Sequence, residues 1–518
     1  MGSIWAAATN IVDTLGNLNL KANATIASTT IVAVLIWRIA LTIRQYFLLR
    51  HIPGPPVAAF TKLWLVIKAR TGRTHLDYFE ACQKYGSYVR ISPNDVTTDD
   101  PHLIKRAWAV RSEYTKADWY SSMRFHPDRD NVASTLDENK HNELRAKLAA
   151  GYAGREVDGF ETRIDNQILS LIRLLETKYI PHRKPFDFAR KAQYLALDVI
   201  ADVAFSEPFG FLETDSDRFD YIATLEQNFP VAFALTVLPW AVTLMQSRLF
   251  KAIRPSEKDP MGLGRLMGIT KRVSFERYGP DRKIRRDMLG SFVKHGLTAE
   301  EAESETMLQV IAGSDTTAGT LRAVMLYTLT QGSRVVDRLR AEIATHCTAR
   351  SPSDVISDAE ACEMPYLQAI IKEALRLHHP TSGALVPRVV GSKGDTYKGM
   401  YFPPGTRIGA CFVGFMRRKD IWGEDTDQFR PERWLEATPE QLREMEGAVD
   451  LGFGSGRWSC LGRGMAQMEL NKAVAELFRR FDFAILNPEK PWKSFNAGMF
   501  MTSEFWLTAY PRGEGVGS

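Results

Sequence analysis

The sequence predicts a mainly α-helical protein with a small β-sheet region and an N-terminal transmembrane helix. Three observations carry this. From about residue 57 onward most segments have helical periodicity, the clearest over 299–331. Short β-like pieces in "GSYVRISPNDVTT", "GALVPRVVGS" and "GTRIGACFV" cluster without a strand–helix alternation, so nothing supports a doubly wound nucleotide fold. Residues 22–37, "ANATIASTTIVAVLIW", carry no charge at all.

The 518 residues, 45% hydrophobic and 25% charged, are enough for a large buried core, and there is no repeat or low-complexity tract. A net charge of +5 over this length, without an arginine-rich arm, zinc-finger spacing or an interleaved basic and aromatic stripe, gives no nucleic-acid footprint. Five widely spaced cysteines, Cys82, Cys347, Cys362, Cys411 and Cys460, make no disulfide framework and point to a reducing compartment.

In chain order, the uncharged run continues through "IALTI" after a single Arg38, reaching the roughly 20 residues of a bilayer crossing. No convincing cleavage site follows, which favours an uncleaved anchor. After Asp13 the next acidic residue is Asp77, whereas Arg38, Arg44, Arg50, Lys62, Lys68, Arg70 and Arg73 lie between them. The positive-inside rule then places the body in the cytosol. The expected division is 1–22 as a short lumenal N-terminus, 23–45 as anchor, 46–56 as a basic and proline-rich hinge and 57–518 as the body. Asn23 opens the one N-glycosylation sequon, on the lumenal side. Within the body, Thr298 and Glu301 fit a capping box for the 299–331 helix, with Gly332 as its stop. Residues 231–245, "VAFALTVLPWAVTLM", are too short and too broken by Pro239 to span, leaving a core helix or a patch dipping into the membrane.

The loop "GFGSGRWSCLGRG" (452–464) crowds five glycines around Cys460 ahead of a helical segment. Unpaired amides at a helix N-terminus favour a thiolate, and glycines let the backbone pass close to something flat. There is no phosphate-loop lysine, no third Rossmann glycine and no zinc-site partner. The remaining use for such a thiolate is as the axial ligand of haem iron.

This segment resembles the haem-binding signature of the cytochrome P450 family, through Phe453, Gly456, Cys460 and Gly462. The family's basic position two before the cysteine is Trp458 here, with Arg457 displaced by one. The resemblance implies that a propionate meets a basic side chain there; the indole N–H of Trp458 is the available substitute. "KEALRLHHP" and "FRPERW" resemble the family's Glu–Arg–Arg cluster, assigning Glu373, Arg376 and Arg433 a structural role. "AGSDTTAG" (312–319) resembles its acid–alcohol pair, with Asp315 and Thr316 on the oxygen side. "HNELRAKL" resembles its W-x-x-x-R helix with His141 in place of tryptophan, which makes Arg145 a propionate ligand, as is Arg388 in "VPRVV".

The resemblance covers about 52–510 and implies haem b (iron protoporphyrin IX) in a haem-thiolate catalytic domain over 57–518. It further implies a monooxygenase fed by an NADPH-dependent cytochrome P450 reductase, with cytochrome b5 as an optional donor. Arg457, Arg463 and Lys147 are candidates to dock the reductase. The anchor is typical of members in the endoplasmic-reticulum membrane, single-pass with a cytosolic catalytic domain. Local stretches are most similar to fungal members of the pisatin demethylase type, many of which serve secondary metabolism. The pocket is expected from 115–135, 207–246, the long helix near Ala312, 382–387 and 496–500, mostly apolar and suited to a lipophilic small molecule. The rival readings are an electron-independent haem-thiolate isomerase or dehydratase, and a non-catalytic haem-binding membrane protein.

Overall fold

The structure, a computed structural model, describes residues 2–347, 351 and 354–512. Helix α1 is Gly2–Leu49, and its stretch Ser28–Leu49 is long and apolar enough to cross a membrane. It runs four residues past the expected end at 45, into the segment expected as a hinge. That last turn is tied to the body. The buried Arg90 donates to the carbonyls of Gln45 (3.2 Å) and Tyr46 (3.4 Å), and Gln45 Nε2 donates to Asn94 Oδ1 at 2.7 Å. Leu49 and Ile52 are buried in the main core. Carbonyls in a helix's last turn lack intrahelical partners, so Arg90 satisfies them and is itself satisfied.

The helices that frame the site are α2 (Leu63–Ala69), α3 (Thr74–Tyr85), α4 (Glu138–Tyr152), α5 (Phe188–Phe205), α6 (Tyr221–Thr236), α7 (Pro239–Met245), α8 (Gly262–Phe275), α9 (Ala299–Thr330), α10 (Pro365–Leu377) and α11 (Arg463–Arg480). Helix α9 is the axis of the body, about 48 Å long at 1.5 Å per residue. The expected capping box is present, Thr298 with Glu301, and the helix stops just before Gly332, whose φ is +69°. It packs against α5, α8, α10 and α11. Every residue of α5 except Arg190 is buried, as a helix enclosed on all sides requires.

The β-like pieces join in one five-stranded sheet. Its strands are β1 (Tyr88–Arg90), β2 (Asp95–Thr98), β3 (Thr115–Lys116), β5 (Arg388–Val389) and β6 (Arg407–Ala410), in the order β1-β2-β6-β5-β3. Only β2 and β6 run parallel, with Asp95 opposite Arg407. A second, antiparallel sheet sets β10 (Trp506–Pro511) between β4 (Phe186–Asp187) and β7 (Phe481–Ile485), and β8 (Lys493–Asn496) pairs with β9 (Phe500–Ser503).

The apolar run 231–245 is split: α6 ends at Thr236 and Pro239 opens α7. A proline at the first helical position is favourable because that amide has no partner to lose. Val231, Trp240, Leu244 and Met245 face outward, so a core helix does not describe this run. Exposed Leu63 and Ile67 belong to α2, which packs on α6, and Lys62 Nζ donates to the Val237 carbonyl at 2.8 Å.

Candidate functional site

Cys460 lies two residues before Gly462, the N-cap of α11. Its amide donates to the Phe453 carbonyl at 2.6 Å, closing the loop on itself. Gly456 holds φ +61°, and a Cβ there would stand 2.5 Å from the Trp108 carbonyl. The loop therefore requires glycine at this position both for its backbone angle and for the close approach. The thiol is accessible. Burial of the loop pushes the Cys460 pKa up, while the amides of Gly462 and Arg463 and the guanidinium charges of Arg145 and Arg463 pull it down. Burial is the larger of these effects.

Arg145, on α4, donates to the Ser459 carbonyl (2.6 Å) and to Ser459 Oγ (2.8 Å), next to the cysteine. His141, one turn earlier, is buried, and burial brings its imidazole down to about 4, so it is neutral. Trp458 and Arg457 share one carboxylate. The indole N–H goes to Glu138 Oε2 at 3.2 Å, and Arg457 Nε reaches the same oxygen at 3.2 Å. Arg457 also donates to the Tyr114 carbonyl at 2.9 Å. Both side chains have protein partners in this arrangement. The Arg388 guanidinium stacks over Trp458 at 4.4 Å and donates to the Tyr120 hydroxyl, and its buried Nε has no partner.

Glu373 and Arg376 of α10 form a bidentate pair (2.9 and 2.8 Å), and Arg433 joins Glu373 at 2.9 Å. Trp434 Nε1 donates to the other carboxylate oxygen at 2.9 Å. Arg376 also takes the carbonyls of Met416, Thr426 and Gln428, so every charge has hydrogen-bonded compensation. Just beyond α10, the His379 ring packs on Gly452, where a Cβ would come within 2.2 Å of Nε2. The cluster thus sits on the helix that leads into this contact under the cysteine loop.

On α9, residues 302–311 and 317–326 are all buried, whereas Ala312 is exposed and Gly313, Asp315 and Thr316 are half-buried. With Ser314 buried between them, this gap in the middle of a packed helix means that Ala312, Gly313, Asp315 and Thr316 border interior space. Thr316 Oγ1 donates back to the Ala312 carbonyl at 2.8 Å, the local bond a mid-helix threonine adopts. Asp315 accepts from Gln193 of α5. Burial, with Glu226 adding to it, carries the carboxyl up to about 6 against the pull of Arg322 and the Gln193 bond.

The expected pocket segments partly converge. Gly383 N donates to the Gly498 carbonyl at 3.1 Å, Phe233 packs on Gly498, and Trp119 packs with Ala384. Phe209, Phe211, Phe219 and Tyr221 line a small cavity with Leu266, Ile269 and Val310. The proposed docking residues are all paired: Arg457 with Glu138, Arg463 with Asp450 at 2.6 Å, and Lys147 with Glu143 at 2.8 Å. Gln193, Arg322, Glu138, Ser459 and Trp434 were not singled out from sequence. Trp434, adjacent to Arg433, and Ser459, adjacent to Cys460, carried a local signal.

An accessible cysteine in a glycine loop, arginines beside it with an unpartnered Nε, and a break in burial on the central helix fit a flat iron-bearing group with carboxylate arms. Over residues 52–505 the chain matches the model of the family described as Cytochrome P450. Cytochrome P450 monooxygenase ABA1 of Pyricularia oryzae is 40% identical over 480 residues, 90% of this chain and 93% of that protein. Cytochrome P450 monooxygenase aba1 of Botryotinia fuckeliana is 35% identical over 462 residues (88% and 90%). Cytochrome P450 monooxygenase abl1 of Leptosphaeria maculans is 33% identical over 488 residues (92% and 85%). With the cysteine loop, the Glu–Arg–Arg cluster and the central helix all inside the matched span, the chain belongs to the cytochrome P450 family and is a haem-dependent monooxygenase.

Proposed function

We propose that this protein oxidises a lipophilic small molecule of secondary metabolism at haem b held by Cys460. Electrons would come from an NADPH-dependent cytochrome P450 reductase, with cytochrome b5 as a second donor. The observation that carries the reading is the pairing of an accessible Cys460 with the mid-helix break in burial at 312–316. When bound, the haem supplies dioxygen activation and insertion of one oxygen atom into substrate.

The chain's own residues then have distinct tasks. Phe453, Gly456 and Gly462 shape the loop that presents the thiolate. Arg145, His141 and Arg388 hold the carboxylate arms, while Glu138 keeps Arg457 and Trp458 as the loop's outer wall. Asp315 stores a proton near neutral pH, and Thr316 passes it on once its hydroxyl leaves the Ala312 carbonyl. The Glu373–Arg376–Arg433 cluster acts through the backbone. That proton-handling pair favours an electron-driven oxygenase over an isomerase.

Residues 28–49 serve as the endoplasmic-reticulum anchor, with the body cytosolic and Asn23 available to lumenal glycosylation. Exposed Leu63, Ile67, Trp240 and Leu244 extend the contact with the bilayer and admit substrate from it. The test is the dithionite-reduced carbon monoxide difference spectrum of the protein beside Cys460→Ala. A thiolate-type Soret band, lost in the variant, is expected; an imidazole-type band in folded wild type overturns the assignment.

A further inference from the structure

Two of the five cysteines, far apart in the sequence, meet in the fold. Cys82 lies on α3, and Cys411 follows the last residue of β6; both are buried. Their thiols are hydrogen-bonded to each other, and the Asp99 amide donates to the Cys82 sulfur. They share one small apolar cluster with Leu65, Tyr78, Val237 and Leu385. The pair is held from several sides. The Cys411 amide donates to the Thr98 carbonyl at 2.8 Å, and the single turn Phe412–Phe415 packs on α3. A Cβ on Gly414 would stand 2.9 Å from Cys411 Sγ and 2.5 Å from Asp99 Cβ, so the sulfur has no room to turn away on that side. Leu385 belongs to 382–387 and Val237 to 207–246, two of the segments expected to wall the pocket. The two thiols therefore lie directly behind that wall. The bond to Cys411, with burial, pushes the Cys82 thiol up, so Cys82 keeps its proton and donates it to Cys411.

We propose that Cys82 and Cys411 form a modification site, a dithiol that hydrogen peroxide converts reversibly into a disulfide. The oxidant is the two-electron product of oxygen reduction that fails to reach substrate, and it is small and uncharged enough to enter an apolar wall. Cys411, supported by the Cys82 S–H, is the sulfur that reacts first. It attacks one peroxide oxygen, the O–O bond breaks, and the displaced hydroxide leaves as water with the thiol proton; Cys411 becomes a sulfenic acid. The Cys82 sulfur, already in contact, then attacks the Cys411 sulfur. The S–O bond breaks, the S–S bond forms, and the hydroxyl leaves with the Cys82 proton as a second water. Two thiols lose two electrons, and one peroxide takes them up. A dithiol reductant reverses the step by thiol–disulfide exchange. In a reducing compartment such a bond is transient and responsive rather than a permanent scaffold. It would tie α3 to the end of β6, where the Ala410 amide holds the Leu385 carbonyl of the pocket wall at 3.0 Å.

The test is a thiol count. Full-length ferric holoenzyme is titrated with hydrogen peroxide, quenched with catalase, denatured and alkylated, and its cysteine peptides are measured by mass spectrometry before and after dithiothreitol. Exposed Cys362 is the internal reference for oxidant dose. The Cys82 and Cys411 thiols should be lost together and reappear as one cross-linked peptide pair, which dithiothreitol resolves into two free thiols. In Cys82→Ala the cross-link should be absent, and Cys411 should accumulate as a sulfenic acid trapped by dimedone. If Cys82→Ala does not fold, the wild-type peptide pair decides alone. Both thiols still alkylatable at a dose that has consumed Cys362 overturns the site. A wild-type Cys411 sulfenic acid that never passes to Cys82 overturns it as well.

Discussion

Glu373 and Arg433 stand sixty residues apart in sequence and meet at 2.9 Å, with neither side chain reaching solvent. Arg376 and Trp434 take the remaining carboxylate positions, so removing one partner strands the others in a medium that cannot hydrate them. Glu373→Gln or Arg433→Met should therefore cost about 3–5 kcal/mol, the range for breaking a buried pair. The check is urea unfolding followed by tryptophan fluorescence, alongside haem content after purification. Near-normal stability for Glu373→Gln would mean that the cluster is not what fixes the cysteine loop.

Gly456→Ala meets two obstacles, the +61° backbone and the Trp108 carbonyl 2.5 Å from the new methyl. The left-handed conformation alone costs about 1–2 kcal/mol. The loop must shift, and the Soret-to-protein absorbance ratio should fall well below wild type even where the body stays folded by circular dichroism.

Glu138 holds both Trp458 and Arg457 at 3.2 Å. Trp458→Phe should destabilise by about 0.5–1.5 kcal/mol, the net worth of one hydrogen bond to a half-buried carboxylate. Placing arginine there instead, Trp458→Arg, restores the basic residue of the family's signature and should bond Glu138 as well. A double-mutant cycle of Trp458→Phe with Glu138→Gln should show coupling of at least about 0.5 kcal/mol.

Glu305 of α9 is buried, accepts the Val132 amide at 2.6 Å, and is carried by burial up to about 8. Its nearest cation is Lys116, itself brought down to about 7 by burial, with Nζ on the carbonyls of Val132, Ala133 and Thr135. Between its ordinary value of 4.5 and about 8, the folded protein keeps a proton on Glu305 that the unfolded chain has lost. Stability contributed by this group is full below pH 4.5 and falls as pH rises to 8. Lys116 acts in the opposite sense above pH 7, since the unfolded chain there holds a proton that the folded one does not. Glu305→Gln should flatten the decline between pH 5 and 7 by about 1.4 kcal/mol per pH unit, read from urea midpoints. An unchanged slope would mean that Glu305 is already ionised in the fold.

Much of this was legible beforehand for identifiable reasons. The long helix announced itself through its capping box, and Glu373, Arg376 and Arg433 sat in motifs with fixed spacing. The three β-like pieces were visible, but not that β2 and β6 pair in parallel, because a pairing across about 300 residues leaves no local trace. For the same reason Glu138 was missed. Its partners are some 320 residues away, and a glutamate in a helix's first turn is explained well enough by the helix dipole. Gln193 looked like an ordinary helix residue, and only the packing of α5 on α9 brings it to Asp315.

The weld between α1 and the body has a mechanical consequence. With Arg90 gripping the carbonyls of Gln45 and Tyr46 and Leu49 set in the core, the body has no swivel above its anchor. A 22-residue span is about 33 Å long, and a helix answers a thinner bilayer by tilting. Were the apolar stretch of α1 to cross a bilayer, such a tilt would turn the body with the helix rather than bend the chain at 51–56.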